Sequence, residues 1–148
     1  MFVRLQALLA ALWGGFLLCV AFAAAPSAFA VLERSQAGLF VGRLFAVDAQ
    51  VSVVAGLLLV LFARRQLRDQ EDAGRAPRVF TAALLLPALA LLCTVAGYYG
   101  LQPLMEAARH GSGPLPFMTL HGISMAFFAV KGLAVLALAW LLSRRGSS

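Results

Sequence analysis

Two charged side chains lie inside long apolar stretches, where a charge is a candidate for a functional role. Asp48 is the one charge in residues 44–63, and Lys131 is the one charge in residues 121–143. A charge in membrane hydrocarbon is costly, so such residues are candidates for ion movement, proton transfer or a buried ion pair. At 1.5 Å per helical residue, Asp48 lies about 6 Å and Lys131 about 15 Å from the same edge of the membrane, which we call the outer edge. An Asp48–Lys131 pair is therefore allowed, and a helix-bordering Asp48 with a snorkelling Lys131 is the alternative.

Other polar residues gather toward that same edge. His121, Ser124 and Lys131 follow one another at i, i+3 and i+10, a spacing that places them on one helical face. Such a face should point into a bundle and away from lipid. We expect any ligand site in this outer polar cluster, with an interfacial belt of anchoring residues as the alternative. Its members are Arg43, Ser52, Tyr98, Tyr99, Glu106, Arg109, His121 and Ser124.

Sulfur-bearing side chains offer a second chemistry. Cys19 and Cys93 have similar predicted depths, about 10 Å below the outer edge, and Met125 and His121 belong to the last apolar stretch. Soft thiolate and thioether ligands suit Cu(I). These four residues are therefore a candidate metal site, although buried cysteine usually packs as a small apolar residue.

The sequence has no recognisable catalytic motif. CxxC, HExxH, GxSxG and phosphate-binding glycine loops are all missing from it. Haem between two histidines would need a second intramembrane histidine, whereas haem on His121 alone stays open. We predict a protein that is not an enzyme and expect no cofactor, with copper or haem as the alternatives.

Four long apolar stretches must position these residues. The chain is 62% hydrophobic and 12% charged, which excludes an ordinary soluble domain. None of the stretches alternates as a strand would, and each approaches the 20 or so residues that a membrane-spanning helix needs. We predict an all-α fold, an integral membrane four-helix bundle forming a single domain over residues 1–148. The predicted spans lie near 5–28, 45–63, 79–99 and 121–142, with a short outer helix near 103–110.

The first stretch also resembles a signal peptide, because Arg4 precedes it and Ala28-Phe29-Ala30 resembles a cleavage site. Its length exceeds the usual apolar region of such a peptide, so we expect it to be retained as a span. Pro26 is expected to kink or end this helix. The segments 31–44 and 64–78 are predicted as loops, the latter a solvated hairpin.

Arginine placement predicts the orientation. Eight arginines lie on the side of the N-terminus, residues 64–78 and the C-terminus, whereas Arg34, Arg43 and Arg109 lie on the other side. By the positive-inside rule, both termini are cytoplasmic in a multi-pass protein of the inner membrane. The positive charge then faces anionic lipid, so the predicted partner is the bilayer and not nucleic acid.

Several short motifs, in this order, resemble the bacterial domain-of-unknown-function family 4149, which is grouped with animal transmembrane protein 205. They are Leu12-Trp13-Gly14-Gly15, Gly42-Arg43-Leu44-Phe45, Leu101-Gln102-Pro103 and Leu120-His121-Gly122-Ile123-Ser124. The resemblance implies a four-helix integral membrane protein with a retained first span. It implies no activity for the bacterial members, and the link of the animal relative to platinum-drug resistance keeps soft-metal handling open.

The leading functional hypothesis is an accessory or transport-associated membrane protein whose outer polar cluster binds a ligand. One alternative is a soft-metal binding or export-related protein, and another is a haem- or redox-linked membrane protein. The last alternative is an assembly subunit that packs through small-residue faces, in a homo-oligomer or a larger membrane complex. The residues of these faces are Gly14, Gly15, Gly38, Gly42 and Gly132.

Overall fold

The computed structural model describes residues 2–74, 76 and 80–145, and all of the regular structure in these residues is helical. Helix α1 begins as an α-helix, Phe2–Cys19, passes through a π-helical turn, Val20–Ala24, and ends as Ala25–Val31. Helix α2 is Arg34–Asp72. The remaining elements are α3, Ala82–Thr94 with a π-helical turn at Val95–Gly100, the short helix α4, Gln102–Arg109, and α5, Phe117–Arg145.

The helices α1, α2, α3 and α5 are each long and apolar enough to cross a membrane. They form a ring in which α1 packs on α2 and α5, and α3 packs on the same two helices. Across the ring, the described residues of α2 and α5 make no close backbone contact, nor do those of α1 and α3. The predicted all-α membrane four-helix bundle is confirmed. We call its two ends the terminal end, which holds Phe2 and Asp72, and the short-helix end, which holds α4.

Helices α1, α2 and α5 are longer than the predicted spans. The segment 31–44 was predicted as a loop, but helix α2 begins at Arg34 and runs through 39 residues. Its first turns are helical because Ala37 and Val41, four residues apart, pack together against Ala28. At the other end of α2, residues 64–72 continue the helix, with an exposed Arg65–Asp69 ion pair at 3.2 Å. Charges mark where the hydrocarbon ends, whereas the helix continues into the interface.

The other bounds differ by a few residues. Helix α1 extends to Val31 beyond the predicted 28, α4 covers Gln102–Arg109 against the predicted 103–110, and α5 begins at Phe117. Arg75, Arg78 and the predicted start of the third span at residue 79 lie outside the described residues.

Pro26 was predicted to kink or end helix α1, and the helix does not end there. A proline cannot donate a backbone hydrogen bond, and its ring crowds the carbonyl four residues before it. The π-helical turn at Val20–Ala24 immediately precedes it, and the Ala25 N–H bonds to the Val20 carbonyl, five residues back. This wider turn accommodates Pro26, and the chain continues as a helix to Val31.

The tightly packed core fills the half of the bundle at the terminal end. There Trp13, Leu59, Val135 and Leu138 are each at most 2% exposed. Toward the short-helix end the core gives way to a cavity, which contains the site.

Candidate functional site

A buried ion pair joins two helices on opposite sides of the ring. The Lys131 ammonium on α5 donates to a carboxylate oxygen of Asp48 on α2 at 2.6 Å. The two residues are 4% and 2% exposed. Because the α2 and α5 backbones are not in close contact, this ion pair depends on the length of the lysine side chain. The structure thus brings together the two intramembrane charges singled out in the sequence.

Ser52 completes the hydrogen bonding of this pair. It lies one turn after Asp48, is fully buried, and donates to the second carboxylate oxygen of Asp48 at 3.4 Å. Its hydroxyl oxygen accepts from Lys131 at 3.2 Å and from the Trp13 indole N–H at 3.1 Å. A serine hydroxyl offers one donor and two acceptor positions, so every one of them is used. The network ties α1, α2 and α5 together.

The Phe128 ring covers the pair on one side. Its centroid lies 4.8 Å from the Lys131 ammonium, close enough for a cation–π contact. Phe45 packs edge-on against Phe128, with centroids 5.5 Å apart. These rings exclude water from part of the ion pair and strengthen its electrostatic attraction.

Asp48 and Lys131 form the inner end of a cavity of about 420 Å³, a volume typical of small-molecule sites. It extends from the ion pair to the short-helix end. The interior is lined by aromatic and sulfur-containing side chains, by glycines and by a few polar groups, and we call the outer lining the mouth. The mouth residues are Phe29, Arg34, Met105, Arg109, Phe117, Met118 and His121.

Stacked side chains organise one side of the mouth. The Arg109 guanidinium lies 5.1 Å from the centroid of Phe117, and the His121 ring stacks on Phe117 at 5.9 Å. Glu106 holds Arg109 at 3.5 Å and His110 at 3.3 Å, with all three side chains at least half exposed. Short helix α4 supplies Arg109, so this helix aligns a cation with the edge of the cavity.

A close approach of α3 and α5 forms the cavity wall. Ser124 donates to the Gly97 carbonyl at 3.1 Å. A Cβ atom at Gly97 would lie 2.5 Å from the Phe127 Cβ, a distance that the backbones do not permit. Glycine is therefore required at this position. Gly97 also belongs to the π-helical turn of α3 that brings Tyr98 to the cavity.

Only part of the predicted outer polar cluster lines the cavity. Tyr98, Arg109, His121 and Ser124 do so, and Ser52 lies behind the ion pair. The other three, Arg43, Tyr99 and Glu106, are exposed outside the lining. Neighbouring residues in a helix point about 100° apart, so Gly42 faces the cavity whereas Arg43 does not.

The predicted sulfur ligands separate in the same way. Cys93, Met125 and His121 line the cavity together with Met105 and Met118, while Cys19 is exposed and outside the lining. In the described part of the chain, no three or more His, Cys, Asp or Glu residues group as metal ligands.

Sequence reasoning missed Arg34, Gln102 and Trp13. Arg34 was assigned to a loop, and Gln102 appeared only within a family motif. Trp13 carried a usable signal, because an indole N–H within a membrane span needs a hydrogen-bond acceptor. Its acceptor, Ser52, is 39 residues away and could not be assigned from the sequence.

These features define a class: four-span α-helical membrane proteins with a one-ended cavity above a buried ion pair. The chain belongs to the family described as Domain of unknown function (DUF4149), whose model matches residues 8–113. The match includes Trp13, Asp48 and Ser52, and it ends before helix α5. No curated protein and no solved structure matches the chain. The predicted likeness to animal transmembrane protein 205 stays a prediction.

Proposed function

We propose that this protein is a non-enzymatic, transport-associated or accessory membrane protein that binds a small molecule in its cavity. The observation that carries the proposal is the 420 Å³ cavity, with charged side chains at its mouth and at its inner end. A cavity of this size with cationic side chains at its mouth offers both apolar and charge-assisted contacts to a small molecule.

The closed inner end favours binding over a continuous channel. Beyond the ion pair toward the terminal end lie Trp13, Leu59 and Val135, all packed in the core. Further along, the Gln66 side chain donates to Gln6 at 2.9 Å, joining α2 to α1. A ligand would therefore enter and leave through the mouth in this conformation.

We also propose that the mouth faces the extracytoplasmic side of the inner membrane and that both termini are cytoplasmic. The excess of arginines at the terminal end supports this orientation under the positive-inside rule. The protein would then sample molecules from the outer side or from the outer leaflet.

A cavity-filling substitution tests ligand binding. Gly38 lines the cavity, and an added Cβ there meets no atom within 4 Å, so Gly38→Phe can fill the space without a backbone clash. Gly15→Phe is the matched control, because Gly15 has equally open surroundings but lies outside the cavity lining.

The assay is native mass spectrometry of the full chain released from detergent after incubation with a bacterial lipid extract. We expect one bound small molecule per chain in the wild type and in Gly15→Phe, and a loss of at least about tenfold in occupancy in Gly38→Phe, an estimate that corresponds to about 1.4 kcal/mol. Equal occupancy in Gly38→Phe and wild type, or no bound molecule in either, would contradict the proposal.

A further inference from the structure

The cavity is open toward the lipid on one side of the bundle. Along Phe2–Cys19, α1 packs against α5, but the later described residues of α1 approach α2 and not α5. Phe29 on α1 and Met118 and Met125 on α5 border this gap, and they are 53%, 72% and 50% exposed while lining the cavity. In a bilayer, exposed apolar side chains on a membrane span contact lipid chains, and Met125 lies about one turn inside the span predicted to begin at residue 121. A molecule with an apolar chain can therefore enter sideways from the bilayer.

Charge at the mouth favours an anion. Lys131 and Asp48 neutralise each other at the inner end. At the mouth, Arg34 has no ion-pair partner among the described residues, and Arg109 shares the exposed carboxylate of Glu106 at 3.5 Å. His121 adds an N–H donor in either tautomer. The mouth thus has one cation, Arg34, without an ion-pair partner among the described residues, and a second, Arg109, whose exposed carboxylate partner is shared with His110. Guanidinium groups of this kind bind carboxylates and phosphates.

Between the mouth and the ion pair, much of the lining is apolar, and the hydroxyls of Thr94 and Ser124 there donate to backbone carbonyls at 2.9 and 3.1 Å. Phe45, Phe127, Phe128, Met125 and Cys93 contribute aromatic or sulfur surface there. His121 and Lys131 are ten residues apart on α5, which gives a depth of about 15 Å. A single extended chain can run along this depth between the mouth and the ion pair.

We propose that the cavity binds a single-chain anionic amphiphile. Its carboxylate or phosphate lies at Arg34, Arg109 and His121, and its chain runs inward along the aromatic wall toward Phe128. This inference rests on the proposed ligand-binding function and names the chemical class of the ligand. The anionic group stays at the mouth because Asp48 repels it from the inner end, where the Lys131 charge is already paired.

Four defined probes test the ligand class by native mass spectrometry of the full chain in detergent. They are palmitate, a lysophosphatidate of the same chain length, an alkyltrimethylammonium of the same chain length, and inorganic phosphate. We expect palmitate, lysophosphatidate or both to bind at one per chain, and the cationic amphiphile and inorganic phosphate to bind at least about tenfold more weakly. The first two probes distinguish a fatty-acid source from a phospholipid source.

Arginine variants locate the headgroup. Arg34→Gln and Arg109→Gln should each weaken binding of the anionic amphiphile by about tenfold, as expected for one charge-assisted hydrogen bond. Arg43→Gln is the matched control, because Arg43 lies on the same helix as Arg34 and is exposed but outside the cavity lining. It should change binding by less than about twofold.

The outcomes separate the two proposals. If the cationic amphiphile binds as well as palmitate and Gly38→Phe abolishes both, the ligand class is wrong while cavity binding stands. The placement of the headgroup at the mouth is overturned if Arg43→Gln weakens binding as much as Arg34→Gln. The ligand class is overturned if elemental analysis finds one copper per chain that displaces the amphiphile. If no probe and no component of the lipid extract binds the wild type, the proposed function itself fails.

Discussion

A double-mutant cycle on the buried ion pair tests whether Asp48 and Lys131 act as one unit. Both side chains are at most 5% exposed, and their closest atoms are 2.6 Å apart. Asp48→Asn leaves a buried ammonium without its counter-ion, and Lys131→Met leaves a buried carboxylate with only the Ser52 hydroxyl. Removing one partner of a buried pair costs about 3–5 kcal/mol. We therefore expect each single variant to lower the free energy of unfolding by about that amount.

The double variant should be more stable than the two single effects predict. With both charges gone, the main losses are the hydrogen bonds from Lys131 to Asp48 and Ser52, each contributing about 1 kcal/mol. The expected cost is about 2 kcal/mol against a sum of at least about 6 kcal/mol, which gives a coupling energy of about 4 kcal/mol.

The assay is unfolding in mixed micelles, in which the fraction of sodium dodecyl sulfate is raised and helix content is followed by circular dichroism. The control cycle uses Arg65→Gln and Asp69→Asn, an ion pair at 3.2 Å with side chains 70% and 50% exposed. Exposed pairs of this kind contribute about 0.3–0.5 kcal/mol. If the Asp48 and Lys131 effects add within about 0.5 kcal/mol, the pair is not energetically coupled and the reasoning is refuted.

Two further predictions concern packing and orientation. Gly97→Ala should lower the free energy of unfolding by about 1–3 kcal/mol through overpacking against Phe127. The control Gly132→Ala, with open space around it, should be neutral or slightly stabilising in the same assay. Equal effects of the two substitutions would contradict the close approach of α3 and α5. Alkaline phosphatase inserted after Gly111 should be active, and green fluorescent protein at the C-terminus should fluoresce; the reverse pattern would place the mouth in the cytoplasm.

The sequence by itself determines that the chain has four membrane-spanning helices. Hydrocarbon excludes charges and unpaired backbone groups, so the long uncharged stretches identify the spans directly. The same physics does not define where a helix stops. Arg34 and Arg65 are tolerated in continuing helices because both side chains are exposed. For that reason residues 34–44 and 64–72, which belong to the loops predicted at 31–44 and 64–78, are helical.

The candidate site was predictable in part. The cost of a buried charge identifies Asp48 and Lys131, and the helical rise gives their depths. The sequence pattern of a single helix does not show which helix lies opposite it in the ring. It follows from packing between segments distant in sequence, such as Gly97 against Phe127 and Trp13 against Ser52.

Only the tertiary structure decides that a cavity exists and which residues line it. Two π-helical turns, Val20–Ala24 and Val95–Gly100, and the placement of α4 shape the short-helix half of the bundle. The separation of the outer part of α1 from α5 opens that half to lipid. Neither feature produces a periodic signal in the sequence, because each is the balance of many small packing contacts among all four spans.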